Sequence, residues 1–212
     1  MASKESNEIK IKIILIGDSS VGKTTIICKY LDNTYNEDAT PTVSLENRVK
    51  TIDIHGLKAK IQLWDTAGQE KFNSLTQQYF RNTDGILLIF DLTNKDSFNH
   101  IKKWLIEINN NTDNHRVKKL LIGNKSDIKD KIKVSKNDID SLINKEKRLK
   151  YLEISAKENI NVGKAFETII NSIVGKRTNE ELIADLGINE QVLSMSGSTL
   201  VNMTGENKKK CC

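Results

Sequence analysis

Residues 11–31 read IKIILIGDSSVGKTTIICKYL. The opening IKIILI is a short isoleucine-rich run of the kind that makes a strand buried on both faces. It breaks at Gly17, and from about Gly22 to Leu31 the chain is helix-compatible. The turn between them, Gly17-Asp18-Ser19-Ser20-Val21-Gly22-Lys23-Thr24, fits the spacing G-x-x-x-x-G-K-[ST]. Each fixed position has a physical purpose. Gly17 and Gly22 let the backbone bend until successive N–H groups face phosphate oxygens, and the helix that follows adds its N-terminal partial positive charge. Lys23 brings an ammonium to the β- and γ-phosphates, and the Thr24 hydroxyl suits Mg²⁺. The phosphate-binding set read from this stretch is Gly17, Asp18, Ser19, Ser20, Val21, Gly22, Lys23, Thr24 and Thr25. The plain alternative is a tight strand–helix turn that happens to hold Gly-Lys-Thr, and the stretch by itself suits ATP as well as GTP.

Outward from this unit, strands and helices alternate. Residues 45–54 and 58–64 read as two strands joined at His55-Gly56. The runs 85–91 (GILLIFD) and 119–123 (KLLIG) suit strands of a parallel sheet, and 151–155 is a last short strand. Helical spacing recurs at 96–108 and 162–174, and Ser135 with Asp138 resembles a helix start. The Trp, Phe and Ile stripes of these helices, Trp104 included, are read as core and given no other role. The predicted fold is α/β, a three-layer sandwich around a mostly parallel sheet with one antiparallel edge strand. Predicted boundaries are a flexible 1–8, a domain over 9–175 and a mobile tail over 176–212, within which EELIADLG forms a marginal helix ended at Gly187.

Three further segments carry chemistry, each after an apolar strand. Asp65-Thr66-Ala67-Gly68-Gln69 places an acid where a second Mg²⁺ contact is needed, a glycine whose N–H reaches a γ-phosphate, and a glutamine that orients water by donating and accepting at once. Asn124-Lys125-Ser126-Asp127 and Ser155-Ala156-Lys157 address the base. Guanine presents two adjacent donors, N1–H and the 2-amino group, and the Asp127 carboxylate accepts both. Adenine would leave that carboxylate unpaired, so the site selects guanine. Lys125 can lay its stem along the ring.

Composition narrows the field. The 212 residues suit one domain with an appendage, and 37% hydrophobic content supports an ordinary core. A net charge of +5 without an aromatic-laced basic stripe argues against nucleic-acid binding. No apolar run reaches the roughly 18 residues of a membrane span, and MASKESNEIK has no signal-peptide h-region. Three cysteines and three scattered histidines make neither a disulfide framework nor a zinc site.

In order and spacing these motifs resemble the small GTPases of the Ras superfamily over about residues 9–175. WDTAGQEKF (64–72), Tyr79-Phe80-Arg81, LIFDLT (88–93) and the terminal Cys211-Cys212 look like the Rab family. The resemblance implies a P-loop NTPase fold with a six-stranded sheet, five strands parallel, and five helices. It implies GTP/GDP and Mg²⁺ as ligands, with Thr42 joining Thr24 and Asp65 at the metal and Tyr35 packing against the nucleoside. Thr42 would release when the γ-phosphate is lost, an order–disorder switch. Catalysis falls to Gln69, Lys23 and Gly68, with an arginine supplied by a partner. Implied partners are an exchange factor, a GTPase-activating protein, a GDP-dissociation inhibitor, a prenylation escort, and effectors that bind 35–47 and 69–83. The implied function is vesicle trafficking by a monomer, anchored at the cytoplasmic face of a membrane through geranylgeranyl groups on Cys211 and Cys212, with a soluble cytosolic pool. Two lipid chains make a stable anchor where one is marginal. Val43-Ser44-Leu45-Glu46-Asn47 departs from the family's usual Ile-Gly-Val-Asp-Phe. A nucleotide-bound module that barely hydrolyses, and an ATP-driven enzyme, are the alternative classes.

Overall fold

The computed structural model describes residues 8–35, 46–65, 77–113, 116–146, 149–175 and 177–188. Strand β1 (Glu8–Ile16) leads through the glycine turn into helix α1 (Lys23–Asp32). An antiparallel pair follows, β2 (Glu46–Ile54) and β3 (Leu57–Asp65). Next come α2 (Gln77–Phe80), β4 (Gly85–Asp91), α3 (Lys95–Asn99), α4 (Ile101–Asn111) and β5 (Lys118–Asn124). The rest is α5 (Lys136–Lys145), β6 (Lys150–Glu153), α6 (Val162–Val174), α7 (Asn179–Leu186) and β7 (Gly187–Ile188). The strand order is β2-β3-β1-β4-β5-β6, parallel throughout except for β2 at the edge. Two-residue β7 adds an antiparallel pair to Glu8 and Ile9, the part of β1 that precedes its pairing with β4.

Side-chain alternation explains why β1 and β4 are so apolar. Ile9, Ile11, Ile13 and Leu15 of β1, with Leu87 and Ile89 of β4, face the core beneath α1 and α6. Ile14 and Ile16, with Ile86, Leu88 and Phe90, face the second core beneath α4 and α5. Along β4, and in β1 from Ile13 onward, both faces are covered and neither alternate set of side chains meets water, whereas Lys10 near the start of β1 is exposed. Tyr30 of α1 stacks on Phe166 of α6 with ring centroids 3.8 Å apart. Helix α5 begins at a reciprocal capping box: the Ser135 hydroxyl accepts from the Asp138 N–H at 3.2 Å, and the Asp138 carboxylate accepts from the Ser135 N–H at 2.9 Å.

The helix expected over EELIADLG forms as α7, ends before Gly187, and is part of the core. Leu182 is fully buried and Leu186 nearly so, both in the cluster under α1 and α6. Thr178 and Glu181 exchange side-chain-to-backbone hydrogen bonds at its start, at 2.8 and 3.3 Å. Arg177 pairs with Asp185 at 3.2 Å. Residues 177–188, on the tail side of the boundary drawn from sequence, therefore pack on the domain.

Candidate functional site

Parallel strands end on one rim of the sheet, and loops from that rim share a crevice. Here β1 gives way to Gly17, β3 ends at Asp65, β4 at Asp91 and β5 at Asn124. The register sets Leu15 opposite Asp65 and Asp91 opposite Asn124. The loop after β1 lies so close to the sheet that a Cβ on Gly17 would strike the Ile89 carbonyl, and one on Gly22 the Asn124 amide. Gly22 also has φ +98° and Ser20 φ +61°, the left-handed turns that let successive amides face one point. No side chain caps α1 at Gly22, so the amides of its first turn suit acceptor oxygens from a ligand. Lys23 is 5% exposed, and its ammonium donates to the Gly17 and Asp18 carbonyls at 2.6 and 2.7 Å.

Thr24 and Asp65, 41 residues apart in sequence, meet here: the Thr24 hydroxyl donates to Asp65 Oδ2. Asp65 is buried. Among the described residues no three His, Cys, Asp or Glu side chains gather into a metal cage. Mg²⁺ needs no such cage. It takes one or two protein oxygens and completes its octahedron with phosphates and waters, and the Thr24–Asp65 pair is a donor set of that kind.

The residues of 124–127 and 155–157 are stitched to the same loop. Asn124, 2% exposed, donates through Nδ2 to the Val21 carbonyl at 2.9 Å and accepts from the Ala156 N–H at 3.1 Å. Lys125, at φ +66°, donates to the Ser20 carbonyl at 3.0 Å and pairs with Asp91 at 2.6 Å. Ser155 is fully buried and donates to Asp127 Oδ1 at 2.6 Å while accepting from the Glu158 N–H. The hydroxyl fixes the carboxylate's plane and leaves lone pairs on both oxygens for a ligand. Reciprocal backbone bonds between Ser155 and Ile160 close the 155–160 loop. Lys157 lies over the ring of half-exposed Tyr35, 5.9 Å from its centre. Thr42, Gly68, Gln69, Cys211 and Cys212 lie outside the described residues.

On the face carrying the end of the 69–83 segment, Trp64 and Tyr79 meet edge to face at 6.3 Å, and the Lys12 ammonium sits 4.7 Å above the Trp64 ring. Asn47 stands opposite Trp64 across the β2–β3 pair. Burial drives the Tyr79 hydroxyl's pKa far above its ordinary range, with a smaller push from the Asp65 carboxylate. It remains a neutral donor and acceptor.

Three residues at the rim were missed by the sequence reading. Asp91, the acid ending GILLIFD, holds Lys125. Trp104, read as core alone, donates from its indole to Asp18 Oδ1 at 2.8 Å, and His100 meets Asp18 Oδ2 at 2.6 Å. The spacing His-x-x-x-Trp, one helical turn, was the available signal.

Comparison with known proteins places these observations. Residues 12–175 match the Ras family model. The chain is 38% identical over 210 residues to Ras-related protein Rab-10 of Diplobatis ommata, covering 99% of each. It is 41% identical over 166 residues to GTP-binding protein ypt1 of Schizosaccharomyces pombe, 76% of this chain and 79% of the relative. With Ras-related protein Rab-8A of Bos taurus it shares 39% over 165 residues, 78% and 79% of the two chains.

Proposed function

Because the chain belongs to the Ras family, and within it to the Rab group of GTP hydrolases that serve vesicle traffic, we propose that the strand-end rim is where it binds and hydrolyses GTP, with the following roles. The amides of Gly17 to Thr25 and the Lys23 ammonium take the phosphates. Asp127, with its carboxylate plane set by Ser155, accepts N1–H and the 2-amino group of guanine, while Lys125, Ala156 and Lys157 line the base and Tyr35 the nucleoside. Asn124 ties phosphate loop to base loop. Thr24, Asp65 and Thr42 would hold Mg²⁺, which when bound neutralises charge developing on the phosphate oxygens. Gln69 orients the attacking water, and the Gly68 N–H meets the γ-phosphate.

The observation that carries the reading is the meeting of three strand-end loops through direct hydrogen bonds: Asn124 to Val21, Lys125 to Ser20, Ala156 to Asn124. These bonds support the reading of a phosphate loop and a guanine-accepting carboxylate as one site. Displacement of labelled GDP tests it. GTP should compete and ATP should not, and equal competition by ATP would overturn the base assignment. Single-turnover hydrolysis with and without Gln69→Leu tests the water-orienting role, which an unchanged rate would refute.

Membrane attachment follows the same family logic. None of the described helices is long and apolar enough to cross a bilayer. Lipid chains on Cys211 and Cys212 supply the anchor at the cytoplasmic face, effectors engage 35–47 and 69–83, and an exchange factor, an activating protein, an escort and a dissociation inhibitor are the further partners. Mass spectrometry of the membrane-bound fraction should find two lipid adducts. Unmodified thiols there would sink this part of the reading.

A further inference from the structure

Asp18 is the second residue of the loop assigned to phosphate, and it carries a negative charge where the ligand is itself an anion. Repulsion between like charges grows as they approach and as water is excluded from between them. A free carboxylate at this position would also compete with phosphate for Lys23, whose ammonium already contacts the Asp18 carbonyl at 2.7 Å. The fold turns the carboxylate away. Both its oxygens are taken by one helical junction: Oδ1 accepts from the Trp104 indole at 2.8 Å, and Oδ2 meets His100 Nδ1 at 2.6 Å. His100 lies between α3 and α4, and the Trp104 backbone N–H donates to the His100 carbonyl at 3.1 Å, so the two rings emerge one turn apart on the same side. Trp104 is otherwise buried in the second core cluster, where an indole N–H needs a partner. Asp18 supplies it from 86 residues away.

We propose that His100 and Trp104 are positioning residues for the phosphate loop: they hold the Asp18 carboxylate outward, clear of the bound phosphates and of Lys23, and so slow nucleotide release. Asp18 is held from two sides, at its carbonyl by the Lys23 ammonium within the loop and at its carboxylate by the indole and imidazole outside it. Removing the outer clamp frees the side-chain torsion of Asp18, and its charge can then swing toward the phosphates. The proposal rests on residues 17–24 being the phosphate loop.

Release of fluorescently labelled GDP from the full-length protein is the test. His100→Ala and Trp104→Phe should each speed release by about tenfold, the scale of one hydrogen bond to a charged group. The imidazole is 56% exposed, so His100→Ala leaves the core intact and keeps the proposal testable should the Trp104 variant fold poorly. The deciding measurement is the same pair of substitutions in an Asp18→Asn background. Without the negative charge, the acceleration caused by either ring's removal should disappear. If both single variants release GDP at the wild-type rate, or if the acceleration persists undiminished in the Asp18→Asn background, the clamp does not act through the Asp18 charge and the proposal falls. Failure of the wild-type protein to bind GDP at all would instead overturn the phosphate-loop assignment.

Discussion

Asn124→Ala is the perturbation with the most to say about how this site is built. The amide bridges two loops, donating to the Val21 carbonyl at 2.9 Å and accepting from the Ala156 N–H at 3.1 Å, and it is 2% exposed. Truncation removes both bonds and leaves a buried carbonyl and a buried N–H without partners. Each such loss costs about 1–3 kcal/mol, with some relief from water entering the space, so the nucleotide-bound fold should lose about 2–4 kcal/mol. Where the loss falls depends on the loops. If they are held equally well without nucleotide, it appears as lower intrinsic stability. If nucleotide orders them, it appears as weaker binding, tenfold for each 1.4 kcal/mol or so. Thermal unfolding of the GDP-saturated protein sums both contributions. For a chain of this size the midpoint should drop by about 4–16 °C. Asn124→Asp keeps the acceptor for Ala156 but sets a carboxylate oxygen against the Val21 carbonyl, so it should be at least as damaging. A midpoint within about 2 °C of wild type for Asn124→Ala, with unchanged GDP affinity, would refute the view that this amide holds the two loops together.

Other outcomes follow from the same geometry. Asp127→Asn keeps an acceptor for N1–H but turns a donor toward the 2-position, so GTP affinity should fall by at least about a hundredfold while xanthine nucleotide, with a carbonyl there, gains; competition against labelled GDP reads both. Leu182→Ala empties a fully buried position under α7 and should cost about 2–5 kcal/mol in denaturant unfolding; a loss below about 0.5 kcal/mol, the range of surface substitutions, would mean α7 is not held by the core. Asp138 is held at about 2, below its ordinary 3.8, first by Lys95 and then by Ser135. Its contribution to the start of α5 is therefore full above the ordinary carboxylate value and lost as pH falls toward 2. Thermal melts from pH 7 downward should show Asp138→Asn less stable than wild type at neutral pH and converging with it near pH 2; a constant gap would contradict the assignment.

Much of this was legible in the chain itself. Strand β4 runs over 85–91 and helix α6 over 162–174, as the apolar runs indicate, because burial of a continuous face is a local demand on composition and period. The glycine spacing of 17–22 is likewise local: it states where a backbone must bend. The capping pair Ser135 and Asp138 reads from three-residue spacing alone. For Asp127 the chemistry of one side chain after one strand is enough to propose which base would leave no polar group unpaired.

Tertiary structure decided what sequence spacing does not encode. Asn124 looks like one more polar residue of a base-binding motif, yet in the fold it is the bridge to Val21, 103 positions earlier. Trp104 sits in an apolar stripe, and such a stripe reads the same whether or not an indole N–H finds a carboxylate across the rim. EELIADLG has only a short apolar face, and α7 is fixed by the space that the core leaves for Leu182 and by two backbone pairs to β1. Sequence by itself determined the order of the main strands and helices and the bend of the glycine turn after β1, because each depends on neighbours within a few residues. Which side chains clamp that loop, and how much of the tail joins the domain, depended on strand order bringing distant residues into hydrogen-bonding contact, and no local period records that.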